Sequence, residues 1–553
     1  MILATKEEIA AHTEAGWWGM ETASERFLAN AEATPERLAV ADPPNREEID
    51  GSAPKRLAYR ELSDLADRIA TGFIEAGLRK NDVVAVQLPN TADLVAVYLA
   101  AWRIGLIVTP FPVQWRAHEL GDVLAFVNAK AVVTARTIRG HDHGAMFAAL
   151  KDKVPGLLHV FVVEETDWPA ADGSRLDALP KGNANEAATI CWTSGTEARP
   201  KGVPRSHNHW TIAGIACADA AKLQPGDAVL NPFPLVNMAA IGGCFMPWLL
   251  TGGTLVQHHP FDLPVFLKQL VGEKIAYTVA PPAVLTLLLK EEKLMASLDF
   301  SAVRSIGSGS APLSPWMVKM WQEQYGLPIV NIFGSNEGTC LISGPDDVPD
   351  PEERAQFFPR FGVAGFKWPA RVADAIETKL VDIQTGAEIT EAGRPGELFI
   401  KGATLFSGYF RAGDGGGPVD AIDDDGFFHT GDVFEIAGPE NRYYRFVERA
   451  KDIIIRGGMN ISPGEIDGLL AGLPAIKEAA VVGYPDPVMG ERICVVAVSA
   501  EGARPTLDDI RAHLMKSDIA AYKLPERLEF AEALPRNPLG KVLRRELRTL
   551  IGG

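Results

Sequence analysis

Through the first two thirds of the chain two hydrophobic periods alternate. In YRELSDLADRIATGFIEAGL apolar residues recur at helical spacing as far as Gly77, whereas DVVAVQLP, AKAVVTA, LHVFVVEE and AYTVAPP are short continuous apolar runs of the buried-strand kind. Strands separated by helices predict an α/β protein with mostly parallel sheets, whose loops, and hence ligands, gather at the carboxyl ends of the strands. LVAVYLAAWRIGLIVTPFPV (94–113) approaches membrane-spanning length. Arg103 in its middle, with Pro110 and Pro112 near its end, predicts instead a buried helix that turns at Gly105 into the short strand LIVTPF. From about residue 380 the pattern becomes antiparallel, in GELFIKG, FEIAG and YYRFVER, and RAGDGGGPVDAIDDDG (411–426) reads as a surface loop. Residues 451–553 carry a strand and helix pattern of their own, in which Thr506 and Asp509 open a helix with a capping-box-like start. A boundary near Lys451 divides the chain into domains 1–450 and 451–553.

Composition changes this picture mainly by exclusion. A chain of 553 residues is too long for one ordinary core, and 47% hydrophobic with 23% charged residues is that of a folded protein. A net charge of −17 with no basic run argues against nucleic acid or an anionic membrane as partner, while leaving room for a local phosphate site. The five cysteines (Cys191, Cys217, Cys244, Cys340, Cys494) are scattered and lack C-x-x-C spacing, which points to free thiols in a reducing compartment. The N-terminal stretch becomes charged within six residues and has no apolar run of a secretory leader, so a cytoplasmic protein is expected. His141 and His143 in HDHG, and His258 with His259, lack metal-site company and are read as structural; DDDG (423–426) is read as a turn.

The stretch TSGTEARPKG (193–202) carries more chemistry. Its spacing is not that of the common P-loop: Gly195 and Gly202 are far apart, Pro200 precedes Lys201, and Val203 follows Gly202. The logic of a phosphate loop survives, because Thr193, Ser194 and Thr196 offer hydroxyl and backbone N–H donors, Gly195 allows close approach, and Lys201 offers a point charge.

Together with FGSNEG (333–338), FFHTGD (427–432), ERAKD (448–452) and PRNPLGK (535–541), this loop resembles the motif set of the adenylate-forming enzymes, which include acyl- and aryl-CoA synthetases, luciferases and peptide-synthetase adenylation domains. The resemblance runs from LAYRELSDLADRIA to Lys541, closest to acyl- or aryl-CoA ligases and dihydroxybenzoate-activating members. It implies a large N-terminal domain of two stacked, mostly parallel sheets with an antiparallel subdomain, then a small mobile C-terminal α+β domain. It also implies a two-step reaction: a carboxylate attacks the α-phosphate of ATP to give an acyl-adenylate and pyrophosphate, and a thiol then displaces AMP. By resemblance, Thr193, Ser194, Gly195, Thr196 and Lys201 bind the polyphosphate and Glu337 binds Mg²⁺. Ser310, Ala311, Pro312, Asn331, Phe333, Gly334 and Asn336 line the nucleotide, Phe333 packing on adenine where tyrosine is usual and Asn336 standing where threonine is usual. Asp432 accepts from the ribose hydroxyls, Arg449 lies near the nucleotide, Lys451 is the hinge, and Gly457 and Gly458 approach the pantetheine thiol. Lys541 bridges carboxylate and α-phosphate during adenylation.

Two departures bear on function. In the phosphate loop, Glu197 and Ala198 stand where the family has a further hydroxyl residue and glycine. A carboxylate beside a polyphosphate repels it, so Glu197→Thr is expected to lower the ATP KM in a steady-state titration, and a raised KM contradicts that reading. In FPLVNMAAIGG (233–243) no aspartate is placed to pair with an α-amino group, which argues against a free amino acid. Val236, Asn237, Met238, Gly242 and Gly309 outline an apolar, roomy pocket for an unsubstituted aryl, alicyclic or short-to-medium acyl acid. The expected substrates are thus a small carboxylic acid, ATP with Mg²⁺, and coenzyme A, in a monomer or homodimer. A carrier-protein phosphopantetheine as acceptor, and an adenylate-binding protein without catalysis, are the alternatives.

Overall fold

In the computed structural model the described residues are 1–180, 182–193, 200–410, 422–449, 452–456, 459–486, 489–517, 519, 521–536 and 542–552. Ser194, Gly195, Thr196, Glu197, Ala198, Lys451, Gly457, Gly458 and Lys541, with most of the 411–426 stretch, lie outside them. The chain divides into two compact units, Met1–Glu377 with Ile400–Phe428, and Thr378–Phe399 with His429–Gly553.

The first unit is built on two mixed sheets. In one, the strand order is Cys340–Ser343, Ile329–Gly334, Ser305–Gly309, Tyr277–Val279, Ala228–Asn231, Thr254–Gln257, Leu38–Ala41 and Arg56–Ala58; only the two edge strands run antiparallel to their neighbours. In the other the order is Gly202–Ser206, Ala187–Trp192, Ile107–Pro110, Val83–Gln87, Ala131–Thr134 and His159–Val162, with only Gly202–Ser206 antiparallel. The continuous apolar runs are explained by burial on both faces. Val40, Val229, Leu255 and Tyr277 of the first sheet share a single core with Val84, Val86, Val133 and Cys191 of the second, and the helices Tyr59–Glu75 and Ala92–Arg103 belong to that core. The 94–113 stretch folds as expected: a helix buried along nearly all its length, a turn at Gly105 (φ +73°), and the strand Ile107–Pro110. Arg103 ends the helix by reaching Asp177, 2.7 Å away. Among the described residues no helix is long and apolar enough to cross a membrane.

The second unit is antiparallel at first. Leu380 pairs with Ile389, and Phe428–Ala437 pairs with Tyr443–Arg449, which sets Asp432 opposite Arg449. It continues as an α+β region in which Gly490–Ser499 is flanked by Ile476–Asp486 and, in parallel, by Arg527–Phe530. Side chains alternate along the central strand, so Ile493 and Val495 meet Ile466, Ile510 and Leu514 on one face while Cys494 and Val496 meet Leu534 and Leu547 on the other. The helix Leu507–Met515 begins with the capping box of Thr506 and Asp509.

All five cysteines are free and buried. His258 is a satisfied core histidine, with Nδ1 against Gln269 Oε1 at 2.7 Å and Nε2 accepting from the Asp262 N–H at 3.0 Å. The two ring nitrogens of His143 face the His141 and Val113 carbonyls.

Candidate functional site

The larger sheet has a topological switch point. From Ala228–Asn231 the chain passes to Thr254–Gln257 on one side and then to Tyr277–Val279 on the other, and the carboxyl ends of the strands at such a point are the usual ligand position. The segments with chemistry leave at this edge: 232–238 follows Ala228–Asn231, Ser310 follows Ser305–Gly309, and Ser335 follows Ile329–Gly334.

The 233–238 turn is held from behind. Asn90 donates to the Phe233 carbonyl (2.8 Å) and accepts from the Leu235 N–H (3.2 Å), and the Tyr98 hydroxyl donates to the Leu235 carbonyl (2.6 Å). Val236, Asn237 and Met238 are left half-buried. Asn237 caps the short helix Met238–Ala240, accepting from the Ala240 N–H. That helix runs on as a π-turn, Ile241–Phe245, an irregularity frequent at functional sites. A Cβ on Gly242 would stand 2.6 Å from the Met238 sulfur, so the Met238 side chain occupies the space that glycine leaves, while a Cβ on Gly334 would stand 3.1 Å from the Thr339 carbonyl oxygen.

On the adjacent strands, Gly309 is demanded by packing, since a Cβ there would meet the Ile332 carbonyl oxygen at 2.1 Å. Ser310 follows in the left-handed region (φ +68°), and Ser310, Ala311 and Pro312 are exposed. Asn331 is buried and donates from Nδ2 to the Arg354 (3.0 Å) and Ala355 (3.1 Å) carbonyls, which fixes the strand to the helix Pro351–Gln356. Phe333 lies edge-on to Phe358 at 6.0 Å.

Glu337 sits in the tight turn 335–339, closed by Ser335 N–H to Thr339 O and Gly338 N–H to Ser335 O. It is 8% exposed, and Tyr409 donates its phenol proton to Glu337 Oε1 at 2.8 Å. The Lys201 ammonium lies 5.2 Å from the Tyr409 ring centroid, so the Lys201 ammonium, the Tyr409 ring and the Glu337 carboxylate form one row. Lys201 is brought there by the hairpin of Ala187–Trp192 and Gly202–Ser206, with Trp192 opposite Gly202 and Thr193 bonded to Lys201 on both sides (3.1 and 3.3 Å). Behind the turn is the fully buried Arg205, which donates to the His209 (2.8 Å) and Asn336 (3.3 Å) carbonyls and stacks on Trp210. Burial lowers its pKa to about 10, so it stays cationic at neutral pH, and the Glu337 carboxylate helps to hold that charge. Tyr409 and Arg205 were not singled out from sequence; the signals were GYF just before the glycine-rich stretch and the arginine in PRSH.

Gly338 is the one glycine the turn cannot lose. Its φ is +105°, and a Cβ would meet the Thr404 carbonyl oxygen at 2.1 Å and Arg205 Nη1 at 2.3 Å. Backbone strain alone there is on the order of 1–3 kcal/mol. Gly338→Ala is expected to destabilise the first unit by at least that amount, read as a lowered midpoint in a thermal melt of the full chain, and an unchanged midpoint contradicts it.

In the second unit, Asp432 is 4% exposed and its Oδ1 lies 2.6 Å from Arg449 Nε. Thr430 Oγ1 accepts from the Asp432 N–H (3.1 Å) and donates to the Leu398 carbonyl (2.8 Å), and Gly431 (φ +70°) makes the turn. A buried carboxylate steadied by arginine is suited to accepting from a diol. Next along, Glu448 accepts from the Gly464 N–H at 3.0 Å and lies 3.8 Å from Arg544, so the 448–449 segment is tied to helix Pro463–Leu470 and to the C-terminal helix Arg544–Leu550.

The chain is similar to proteins of known family and fold. A feruloyl-CoA synthase from Amycolatopsis sp. is 30% identical over 496 residues, covering 90% of this chain and 94% of that protein. A medium-chain fatty-acid–CoA ligase from Escherichia coli K12 is 28% identical, covering 98% and 92%. The crystal structure of ATP-bound MatB from Rhodopseudomonas palustris superposes with a TM-score of 0.77 at 25% identity, covering 96% of this chain and 99% of that one. Residues 27–410 match the family described as AMP-binding enzyme and residues 465–541 its C-terminal domain, and the chain therefore belongs to the AMP-binding enzyme family.

Proposed function

We propose that the protein is an AMP-forming acid–thiol ligase that activates a small apolar carboxylic acid and passes it to coenzyme A. The reading is carried by one observation: the chain matches both the AMP-binding enzyme and its C-terminal domain, the second match ending on Lys541. In the first step a carboxylate oxygen bonds to the α-phosphorus of ATP as the α–β bridging P–O bond breaks and pyrophosphate leaves. In the second, the thiol sulfur bonds to the acyl carbon, the acyl C–O bond breaks, and AMP departs.

In this reading Thr193, Ser194, Gly195, Thr196 and Lys201 hold the polyphosphate. Ser310, Ala311, Pro312, Asn331, Phe333 and Gly334 border the base, and Asp432 with Arg449 holds the ribose. Val236, Asn237, Met238, Gly242 and Gly309 bound the acid. Lys451 is the pivot of a mobile C-terminal part, Gly457 and Gly458 face the pantetheine arm, and Lys541 stabilises charge as carboxylate and α-phosphate join. The half-buried Val236 and Met238, with no aspartate in the 233–243 stretch to pair with an amine, favour an aryl, alicyclic or short-to-medium acyl acid. Glu337 would hold Mg²⁺: a buried carboxylate oriented by a phenol donor, beside a phosphate hairpin, fits a hard cation that prefers oxygen. The ion, when bound, would neutralise charge on the polyphosphate. A cytoplasmic monomer or homodimer completes the proposal.

A panel of carboxylic acids with ATP and Mg²⁺ tests it, following pyrophosphate release with and without coenzyme A. Acid-dependent pyrophosphate release with thioester formed only when coenzyme A is present is expected. Adenylate without transfer would point to a carrier-protein acceptor, and silence across the panel would leave an adenylate-binding protein.

A further inference from the structure

Asn336 joins two stretches of the first unit through its side chain. Its backbone direction is imposed by the closed 335–339 turn and by Arg205 on its carbonyl. Its side chain then divides its two functions. Oδ1 accepts from the Met238 N–H at 2.9 Å, and Nδ2 donates to the Trp192 carbonyl at 3.1 Å. Met238 is the first residue of the pocket helix, and its N–H is one of those a helix start leaves without an internal partner. Trp192 is the last residue of the strand that enters the phosphate loop, and its indole is fixed by a 2.8 Å bond to Thr109 Oγ1. The planar amide thus joins the acid pocket to the phosphate hairpin. A threonine, the residue its relatives usually have here, carries a single oxygen one atom closer to the backbone and cannot span both partners.

We infer that Asn336 is a positioning residue that couples the acid pocket to the phosphate hairpin, so that the acid is held in register with the α-phosphate through Met238 on one side and Trp192 on the other. The inference rests on the ligase reading for its kinetic part and on the hydrogen bonds alone for its structural part. Because Met238 lies across Gly242, a displaced Met238 alters the space available to the acid.

Two variants separate the two bonds. Asn336→Leu removes both; Asn336→Asp keeps the acceptor towards Met238 and loses the donor towards Trp192. Amide hydrogen exchange at Met238 in the full chain is expected to quicken about tenfold in Asn336→Leu and to stay within about twofold of the original in Asn336→Asp, the size of one hydrogen bond. The KM for the acid is expected to rise about tenfold in Asn336→Leu alone, while the KM for ATP rises in both. If Asn336→Leu loses its cooperative thermal transition, Asn336→Ala, which also removes both bonds, replaces it in the same comparison. Unchanged Met238 exchange, or an unchanged acid KM beside a raised ATP KM, overturns the inference and leaves Asn336 serving the nucleotide only. An original protein silent towards every acid would instead remove the ligase reading, and the exchange ratio would still decide whether the brace exists.

Discussion

Lys541→Ala is expected to lower acid-dependent pyrophosphate release by about 10²–10³-fold, the cost of removing one donor aimed at developing transition-state charge. Thioester formation from a synthetic acyl-adenylate is expected to change by less than about threefold, because a group that acts on the joining of carboxylate and phosphate has no part in the attack of the thiol. An ammonium on a flexible four-carbon stem suits a charge needed in only one of the two steps. Arg536 and Val542 form an antiparallel bridge and Leu543 donates to the Pro535 carbonyl, so the described residues before and after Lys541 are paired with each other. Nucleotide binding, read by calorimetry with AMP, should survive. Equal losses in both half-reactions would mean that the substitution had damaged the fold of the C-terminal part, and unchanged pyrophosphate release would remove the catalytic assignment.

Glu337→Gln is the second large effect, with an expected fall of about 10²-fold in kcat/KM and a displacement of the Mg²⁺ activation curve to higher concentration. The amide has the shape of the carboxylate and keeps an oxygen for the Tyr409 phenol, so the turn and its bond to Phe406 stay as they are. What is lost is charge. A neutral oxygen is a weak ligand for a hard dication, and excess Mg²⁺ should restore part of the rate. A rate loss with no movement of the Mg²⁺ curve would assign Glu337 to orientation of Tyr409 and Lys201 instead.

Much of the fold was legible because burial leaves a period in the sequence. The parallel strands are continuous apolar runs since both faces are covered, and the helix at 94–103 was separable from a membrane span because Arg103 and the prolines have no place in one. The stretches bearing Lys201, Ser310 and Glu337 stand where that reading placed ligand loops, just after strands. The partners of those residues were not legible. Asn336 could be seen as an amide in place of a threonine, but its bonds run to residues 98 and 144 positions away, and only the packed sheets bring them together. Tyr409 and Arg205 stand in GYF and PRSH, but their part was not legible there, because a phenol and a guanidinium acquire meaning from the carboxylate they face. The π-turn at Ile241–Phe245 was equally hidden: two glycines permit it without requiring it.

The most direct test of the central claim follows oxygen. With a carboxylic acid labelled with ¹⁸O in its carboxylate, ATP, Mg²⁺ and coenzyme A, the bond formed to the α-phosphorus and the later break at the acyl carbon predict one ¹⁸O in AMP for every thioester made. Label in orthophosphate, or thioester formation with unlabelled AMP, would contradict an acyl-adenylate on the path.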